Sequence, residues 1–112
     1  MSYQHTTLAQ GRWHQLTFFQ QMANIGTEVG RAIIWRSKDA MTSEMAAVRG
    51  LELIDLTIDD VKNRTGARPK ELWRLREVFA DYFFADNEYG STDQSWQNYF
   101  DGFAYGAQVN KL

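Results

Sequence analysis

Apolar residues recur at steps of three and four along four segments of this 112-residue chain, and this spacing constrains the fold more than any other feature. It is typical of amphipathic helices, because an α-helix completes a turn about every 3.6 residues. The alternation of apolar and polar residues that marks half-buried strands is absent, and the only proline, Pro69, lies in a loop-like stretch. The sequence therefore predicts an all-α protein.

The predicted helices cover about residues 13–38, 42–61 and 69–86, and a fourth helix starts near residue 91. Pro69 suits the first turn of the third helix. Ser91, followed three residues later by Gln94, has the spacing of a capping box at the start of the fourth. Four helices joined by short loops predict an antiparallel four-helix bundle. We expect residues 13–110 to form this single domain and residues 1–12 to be an N-terminal tail.

The first predicted helix carries small residues on one apolar stripe, at Ala23, Gly26 and Gly30. A glycine inside a helix costs about 1 kcal/mol relative to alanine, so close packing against another helix is the expected compensation. On the outer face of the same helix, Glu28 is expected to point away from the apolar centre. There it would form an i, i+3 ion pair with Arg31.

Several large apolar residues lie outside the stripes that four helices would bury, and they are Trp35, Leu53, Leu56, Trp73 and Phe84. A monomeric bundle would leave some of them in water, and such a surplus is typical of self-association or of a surface for a protein partner. We therefore predict a homo-oligomer, most simply a two-fold dimer. The turn with Asn87, Glu88 and Tyr89 belongs to the predicted interaction surface, because loops at the end of a scaffold often carry recognition.

The segment LELIDLTIDD, residues 51–60, places four acids among apolar residues. Asp55 falls inside the apolar arc of its helix, Glu52 and Asp59 lie on the shoulder of that arc, and Asp60 is expected to be solvated. A partly buried carboxylate must be compensated, and arginine offers a planar fork of donors for this. We favour an ion-pair network around Asp55, for which the candidate partners are Arg31, Arg74 and Arg76.

An alternative gives the same acids a catalytic role. Glu52, Asp55 and Asp59 share one side of the helix and could hold Mg²⁺ or Mn²⁺ in a hydrolase of nucleotide-like phosphorylated substrates. They resemble the metal-binding acids of helical nucleotide pyrophosphohydrolases of the MazG type, which come as E-x-x-E and later E-x-x-D. Here the E-x-x-E is missing, and Glu77 with Asp81 gives only E-x-x-x-D. We therefore favour a protein without catalytic residues, a bound metal or a cofactor.

The charges of the chain are unevenly distributed. The net charge of −2 argues against a general nucleic-acid binder. Residues 62–76 nevertheless hold six basic residues against one acid, a balance of 6 − 1 = +5, whereas residues 77–112 hold one lysine against six acids, a balance of 1 − 6 = −5. We expect these two segments to complement each other within the fold. A second alternative is an accessory nucleic-acid-contacting bundle that uses Arg64, Arg68, Lys70, Arg74 and Arg76.

Two further features bear on location. The chain has no cysteine, which excludes disulfides, and its first residues lack the pattern of a secretory signal. No apolar run approaches the roughly 18 residues that a membrane span requires. We therefore expect a cytoplasmic protein without a membrane partner.

Four stretches of the sequence resemble a family of small bacterial all-helical proteins that has no established activity. They are RWHQLTFFQQMANIGTEVGRAIIW, LELIDLTIDD, LWRLREVFADYFF and DNEYGSTDQSW. The similarity extends over about residues 11–107, nearly the whole chain. It implies a free-standing helical protein inside a bacterial cell, and it provides no cofactor or catalytic residue to transfer to this chain.

Overall fold

The computed structural model describes residues 6–109, and this part of the chain contains five α-helices, one short 3-10 helix and no strand. The helices are α1 (Thr6–Gln15), α2 (Phe18–Trp35), α3 (Ala40–Asp59), α4 (Arg68–Phe84) and α5 (Asp93–Val109), and the 3-10 helix (Val61–Asn63) follows α3. The predicted all-α class is confirmed. The radius of gyration, 13.8 Å, is that of a compact domain. Among the described residues, no helix combines the length and the apolarity that crossing a membrane requires.

The first predicted helix is two helices in the structure. The chain breaks at Thr17, whose Oγ1 accepts a hydrogen bond from the Gln20 amide at 3.1 Å, while Gln20 Oε1 accepts one from the Thr17 amide at 2.9 Å. This capping box starts α2 anew. The apolar periodicity continues across the break and conceals it in the sequence. Helix α1 begins at Thr6, inside the predicted tail of residues 1–12, and residues 1–5 lie outside the described part of the chain.

Helix α5 also begins differently from the prediction. Its capping pair is Thr92 and Ser95, one residue further along than the predicted pair of Ser91 and Gln94. The Thr92 hydroxyl accepts from the Ser95 amide at 3.0 Å, and the Ser95 hydroxyl accepts from the Thr92 amide at 2.9 Å. The Ser91 amide donates instead to Oδ1 of Asn87, and the Ser95 hydroxyl accepts from the Thr92 amide in place of the predicted glutamine. Pro69 lies in the first turn of α4, as the sequence predicts.

Helix α2 is the centre of the fold. It packs against α3 on one side and against α5 on the other, and α4 packs against α3. The core between these helices is large for a chain of this length, and the side chains with less than 2 % exposure include Met22, Ile25, Ile54, Leu72 and Phe79. Burying one such side chain stabilises the folded state by about 1.5–3 kcal/mol. The core therefore fixes how these four helices sit against each other.

Three glycines let helices approach closely: Gly26, Gly50 and Gly106. A Cβ built on Gly26 would lie 2.7 Å from Cβ of Phe100 in α5, and one built on Gly50 would lie 2.9 Å from Cζ of Phe79 in α4. The expectation of close packing therefore holds at Gly26. At Gly30 it is corrected, because nothing lies within 4 Å of an added Cβ there.

A set of buried polar side chains joins α1, α2, α3 and the 3-10 helix around Gln21. Gln21 Nε2 donates to the carbonyl of Trp13 at 3.0 Å and to Oδ2 of Asp60 at 2.8 Å, and its Oε1 accepts from Nδ2 of Asn63 at 2.9 Å. Trp13 Nε1 donates to Oγ1 of Thr57 at 2.9 Å, and Asn63 Nδ2 donates to the Thr57 carbonyl at 3.0 Å. All five residues are buried, and we call them the Gln21 network.

Asp60 was expected in solvent, but it is 4 % exposed. It follows the last residue of α3 and has an extended backbone, with φ −73° and ψ 118°, so the angular position of a helical residue does not apply to it. Burial raises the pKa of the Asp60 carboxyl, but hydrogen bonds from Lys62 and Gln21 outweigh burial, so the pKa lies below its usual value. Asp60 is therefore a buried, ionised member of the network.

Replacing each of two α2 glycines by alanine should have opposite effects. Gly26→Ala should lower the free energy of unfolding by about 1–3 kcal/mol, because the new methyl group overlaps Phe100. Gly30→Ala should raise it by up to about 1 kcal/mol, because it adds helix propensity without a contact. Urea denaturation of the two variants and the wild type measures both changes. Equal effects of the two substitutions would contradict the packing of α5 on α2.

Candidate functional site

The residues predicted to form an interaction surface separate into exposed and covered ones. Trp73 is 59 % exposed, Phe84 43 % and Trp35 40 %. Leu56 is 5 % exposed, which corrects its assignment to a surface, whereas Leu53 is half-buried and packs against the core. The reason is α1, which packs against α3 and of which the sequence prediction included only residues 13–15. The exposed residues of the predicted surface, Trp35, Trp73 and Phe84, therefore lie away from the part of α3 that α1 covers.

A row of exposed apolar residues that the sequence interpretation missed lies on the first half of α3. Met41 is 72 % exposed, Met45 66 % and Val48 37 %. Their spacing of i, i+4 and i+7 places them on one side of the helix. That spacing was the available signal, but it reads equally well as a buried stripe, because periodicity alone does not distinguish a face toward the core from a face toward a partner.

The contacts between α3 and α4 show where Phe84 lies relative to this row. Phe83 packs against the cluster of Ala32, Ala46 and Ala47, which places the end of α4, where Phe84 lies, near the first half of α3. At about 100° per residue, Phe84 and Trp73 lie within about 80° of Arg76, the α4 residue that contacts Asp55 of α3. Phe84 and Trp73 therefore lie toward the side of α4 that carries Arg76, and we call the space between α3 and α4 at Arg76 and Asp55 the valley. We define the apolar face by four residues, Met41, Met45, Val48 and Phe84.

Asp55 lies in this valley and is paired with an arginine. Arg76 Nε donates to Asp55 Oδ1 at 2.6 Å, and Arg76 Nη2 lies 3.5 Å from Asp55 Oδ2. The Asp55 side chain is 21 % exposed. Of the other arginines in the predicted network, Arg31 pairs with Glu28, and Arg74 lies over the ring of Tyr89. The structure thus brings Asp55 and Arg76 together and places Arg31 and Arg74 elsewhere.

The acids considered as metal ligands do not form a cluster. Asp59 is exposed, Glu52 is half-buried, and Asp55 is bound by Arg76. Within the part of the chain that the structure describes, no group of three or more histidine, aspartate or glutamate side chains is placed to hold a metal ion. The spacing of these acids put them on one side of α3, but ligands for one ion must also converge on a point, and helical spacing does not test convergence.

The turn predicted to carry recognition has a defined shape. Asn87 has a positive φ of 55°, and its side chain bonds both the amide and the carbonyl of Ser91, at 2.8 and 2.9 Å. The carboxylate of Asp81 accepts from the amides of Glu88 and Tyr89, at 2.8 and 3.0 Å. The carboxylate of Asp81 therefore anchors the turn. This role accounts for an acid at position 81 without a metal site.

This turn forms one wall of a groove of about 650 Å³ between α4 and α5. The groove has an apolar floor and two cationic side chains, and its lining includes Leu75, Val78, Trp96, Lys70 and Arg74. Burial raises the pKa of Tyr99, whose hydroxyl donates to the Glu71 carboxylate at 3.0 Å, so Tyr99 is a protonated donor at neutral pH. The groove thus combines an apolar floor with Lys70, Arg74 and the Glu71–Tyr99 pair in its lining.

The basic segment is largely used within the fold. Arg68 lies over the ring of Phe18 at 4.5 Å, and Lys62 pairs with Asp60. Arg76 pairs with Asp55, so the acids that meet this segment belong to the end of α3. This corrects the expectation that residues 62–76 are complemented by residues 77–112. Arg64 and Lys70 are exposed, but the segment as a whole does not present one free cationic face.

Comparison of the chain with protein-family models, with curated proteins and with solved structures finds no match. The resemblance to a bacterial family of small helical proteins therefore stays a prediction. The chemistry of the surfaces described above is the basis for assigning a function.

A double-mutant cycle with Asp55→Ala and Arg76→Ala should give a coupling free energy of about 0.5–1 kcal/mol, because the pair is partly exposed. The coupling should shrink in 1 M salt, at which charges are screened within about 3 Å. A matched cycle with Asp55→Ala and Arg74→Ala should give almost no coupling. Urea denaturation provides all the values, and equal coupling in the two cycles would contradict the assigned pair.

Proposed function

We propose that this protein is a small helical interaction module that self-associates as a two-fold dimer, without catalysis of its own. The apolar face carries the proposal, since its four residues, Met41, Met45, Val48 and Phe84, are large, apolar and exposed. Scattered apolar side chains are normal on a monomer, but a contiguous group of large ones marks an interaction site. The long, flexible side chains of methionine adapt well to a facing surface.

We further propose that α2 to α5 form an antiparallel four-helix bundle that presents this face. Supporting contacts pair early residues of one helix with late residues of the next: Ser43 bonds the carbonyl of Ala32 at 2.6 Å, whereas Asp60 bonds Gln21. Between α2 and α5, a Cβ on Gly106 would meet Phe19, whereas Gly26 meets Phe100. Bundles of this kind bury one stripe of each helix and leave outer faces for partners.

The occupant that fits the apolar face best is a second copy of this chain. If α3 pairs with its copy in opposite directions about Met45, the two methionines meet at the two-fold axis. Residues whose numbers sum to 90 then come level, which places Glu52 of one copy opposite Lys38 of the other. Asp55 and Asp59 lie on the same side of α3 as Met45, but two α3 helices paired about Met45 overlap only over residues 40–50, so these acids lie outside the contact between them. The ammonium of Lys38 lies 5.6 Å from the ring centre of Trp35, which holds Lys38 near the end of α2.

A protein partner would have the groove between α4 and α5 available in such a dimer, because the apolar face uses other residues. The cationic side chains Lys70 and Arg74 and the fixed turn at Tyr89 are the elements that such a partner would meet. A cytoplasmic location stays a prediction from the sequence.

Size-exclusion chromatography with light scattering should give a mass near twice 13.0 kDa for the wild type. Met45→Lys should return the mass to 13.0 kDa, because it places two ammonium groups at the axis of the apolar contact. A matched control is Tyr105→Lys, which removes an equally exposed large side chain, 74 % exposed, from α5 and should leave the dimer intact. A monomeric wild type at high concentration, or equal dissociation by both substitutions, would contradict the proposal.

A further inference from the structure

A cleft of about 430 Å³ lies among α1, α2 and α3, away from the valley between α3 and α4. Its volume is within the range of pockets that hold small molecules. One part of the lining is apolar and consists of Trp13, Leu16, Leu53 and Leu56. The charged part consists of Arg12, Arg31, Arg49 and Glu28. Leu53 and Leu56, which the sequence assigned to a protein surface, thus face this cleft.

Glu28 was expected to point into solvent, but its side chain is 5 % exposed and lies between two arginines. Its Oε1 accepts from Nη1 of Arg31 at 2.7 Å, and its Oε2 lies 3.4 Å from Nε of Arg49. A buried carboxylate requires such compensation. Glu28 therefore holds two guanidinium groups at the cleft, each by one nitrogen. Because a guanidinium has five N–H donors, Glu28 does not use most of the donors of either arginine.

The cleft has an excess of positive charge. Its lining holds three arginines and one acid, a balance of 3 − 1 = +2. One arginine would suffice to compensate Glu28, so the second is surplus to that role. Arg12 forms no ion pair with any described residue. The side chains of Arg31 and Arg49 are 62 % and 69 % exposed, which leaves their remaining donors accessible.

We propose that this cleft binds a small molecule with a doubly charged phosphate group and an apolar body. The guanidinium forks of Arg31 and Arg49 match phosphate oxygens in shape, and the balance of +2 matches the charge of about −1.5 to −2 on a phosphate monoester at neutral pH. The apolar body lies against Trp13 and Leu53. The proposal is independent of self-association, because the apolar face uses other side chains.

Isothermal titration at constant ionic strength tests the proposal with phenyl phosphate and inorganic phosphate as probes. Phenyl phosphate should bind saturably and more tightly than inorganic phosphate, since only phenyl phosphate has an apolar body. Arg12→Met should weaken binding of phenyl phosphate about tenfold without loss of an ion pair in the fold. Arg49→Met should weaken it at least as much, with helicity checked by circular dichroism. Arg64→Met, a substitution of an exposed arginine outside the cleft, is the matched control and should change nothing.

Three results would overturn the proposal. The first is the absence of saturable binding of phenyl phosphate at concentrations up to about 10 mM, because a specific site of this size is expected to have a lower dissociation constant. The second is an equal loss of affinity in Arg64→Met and Arg12→Met, which would show general charge attraction. The third is binding of a single-stranded oligonucleotide without binding of phenyl phosphate, which would indicate a nucleic-acid surface.

Discussion

The amide of Gln21 is the group on which the arrangement of the first three helices depends. It has no exposure to solvent, so its hydrogen-bonding capacity must be met inside the protein. Both of its donor bonds and its acceptor bond are made, and their partners come from the end of α1, the end of α3 and the 3-10 helix. Leaving one of these buried donors or acceptors without a partner would cost about 1–3 kcal/mol. The arrangement of the three segments that pairs all of them is therefore favoured over arrangements that do not.

The network ties the end of α3 to α1 and α2, and both proposed surfaces include residues of α3. One side of the helix carries Arg49 and Leu53 into the cleft with α1 and α2. Another side carries Met45 and Val48, which are exposed. If α3 were rotated about its axis, other residues would face the cleft and the outer surface, because residues one position apart differ by about 100° in direction. The self-association and the phosphate site therefore both require the same orientation of α3.

The sequence predicted the class of the fold because apolar residues recur at steps of three and four along α2, α3, α4 and α5, and because Pro69 marks the first turn of α4. It missed the break at Thr17 because apolar spacing continues through it, although the threonine and the glutamine of the capping box were there to be seen. Without α1, Leu56 had no cover and was assigned to a surface. The pairing of Asp55 with Arg76 required the register between α3 and α4, and Asp60 required the backbone angles at the end of α3. These are tertiary properties that spacing along one helix does not contain.

The dependence of stability on pH in Asp60→Asn tests the role of the Gln21 network most directly. Because the folded-state pKa of Asp60 lies below its usual value, its ionised form stabilises the protein above the unfolded-state pKa, near 3.9, and this contribution is lost as the pH falls through the lower folded-state pKa. Urea denaturation at pH 7 should find Asp60→Asn less stable than the wild type by about 1–3 kcal/mol, and the difference should shrink below about pH 4. Equal stability at pH 7, or a difference that does not change down to pH 3, would contradict a buried, ionised Asp60 at the centre of the fold.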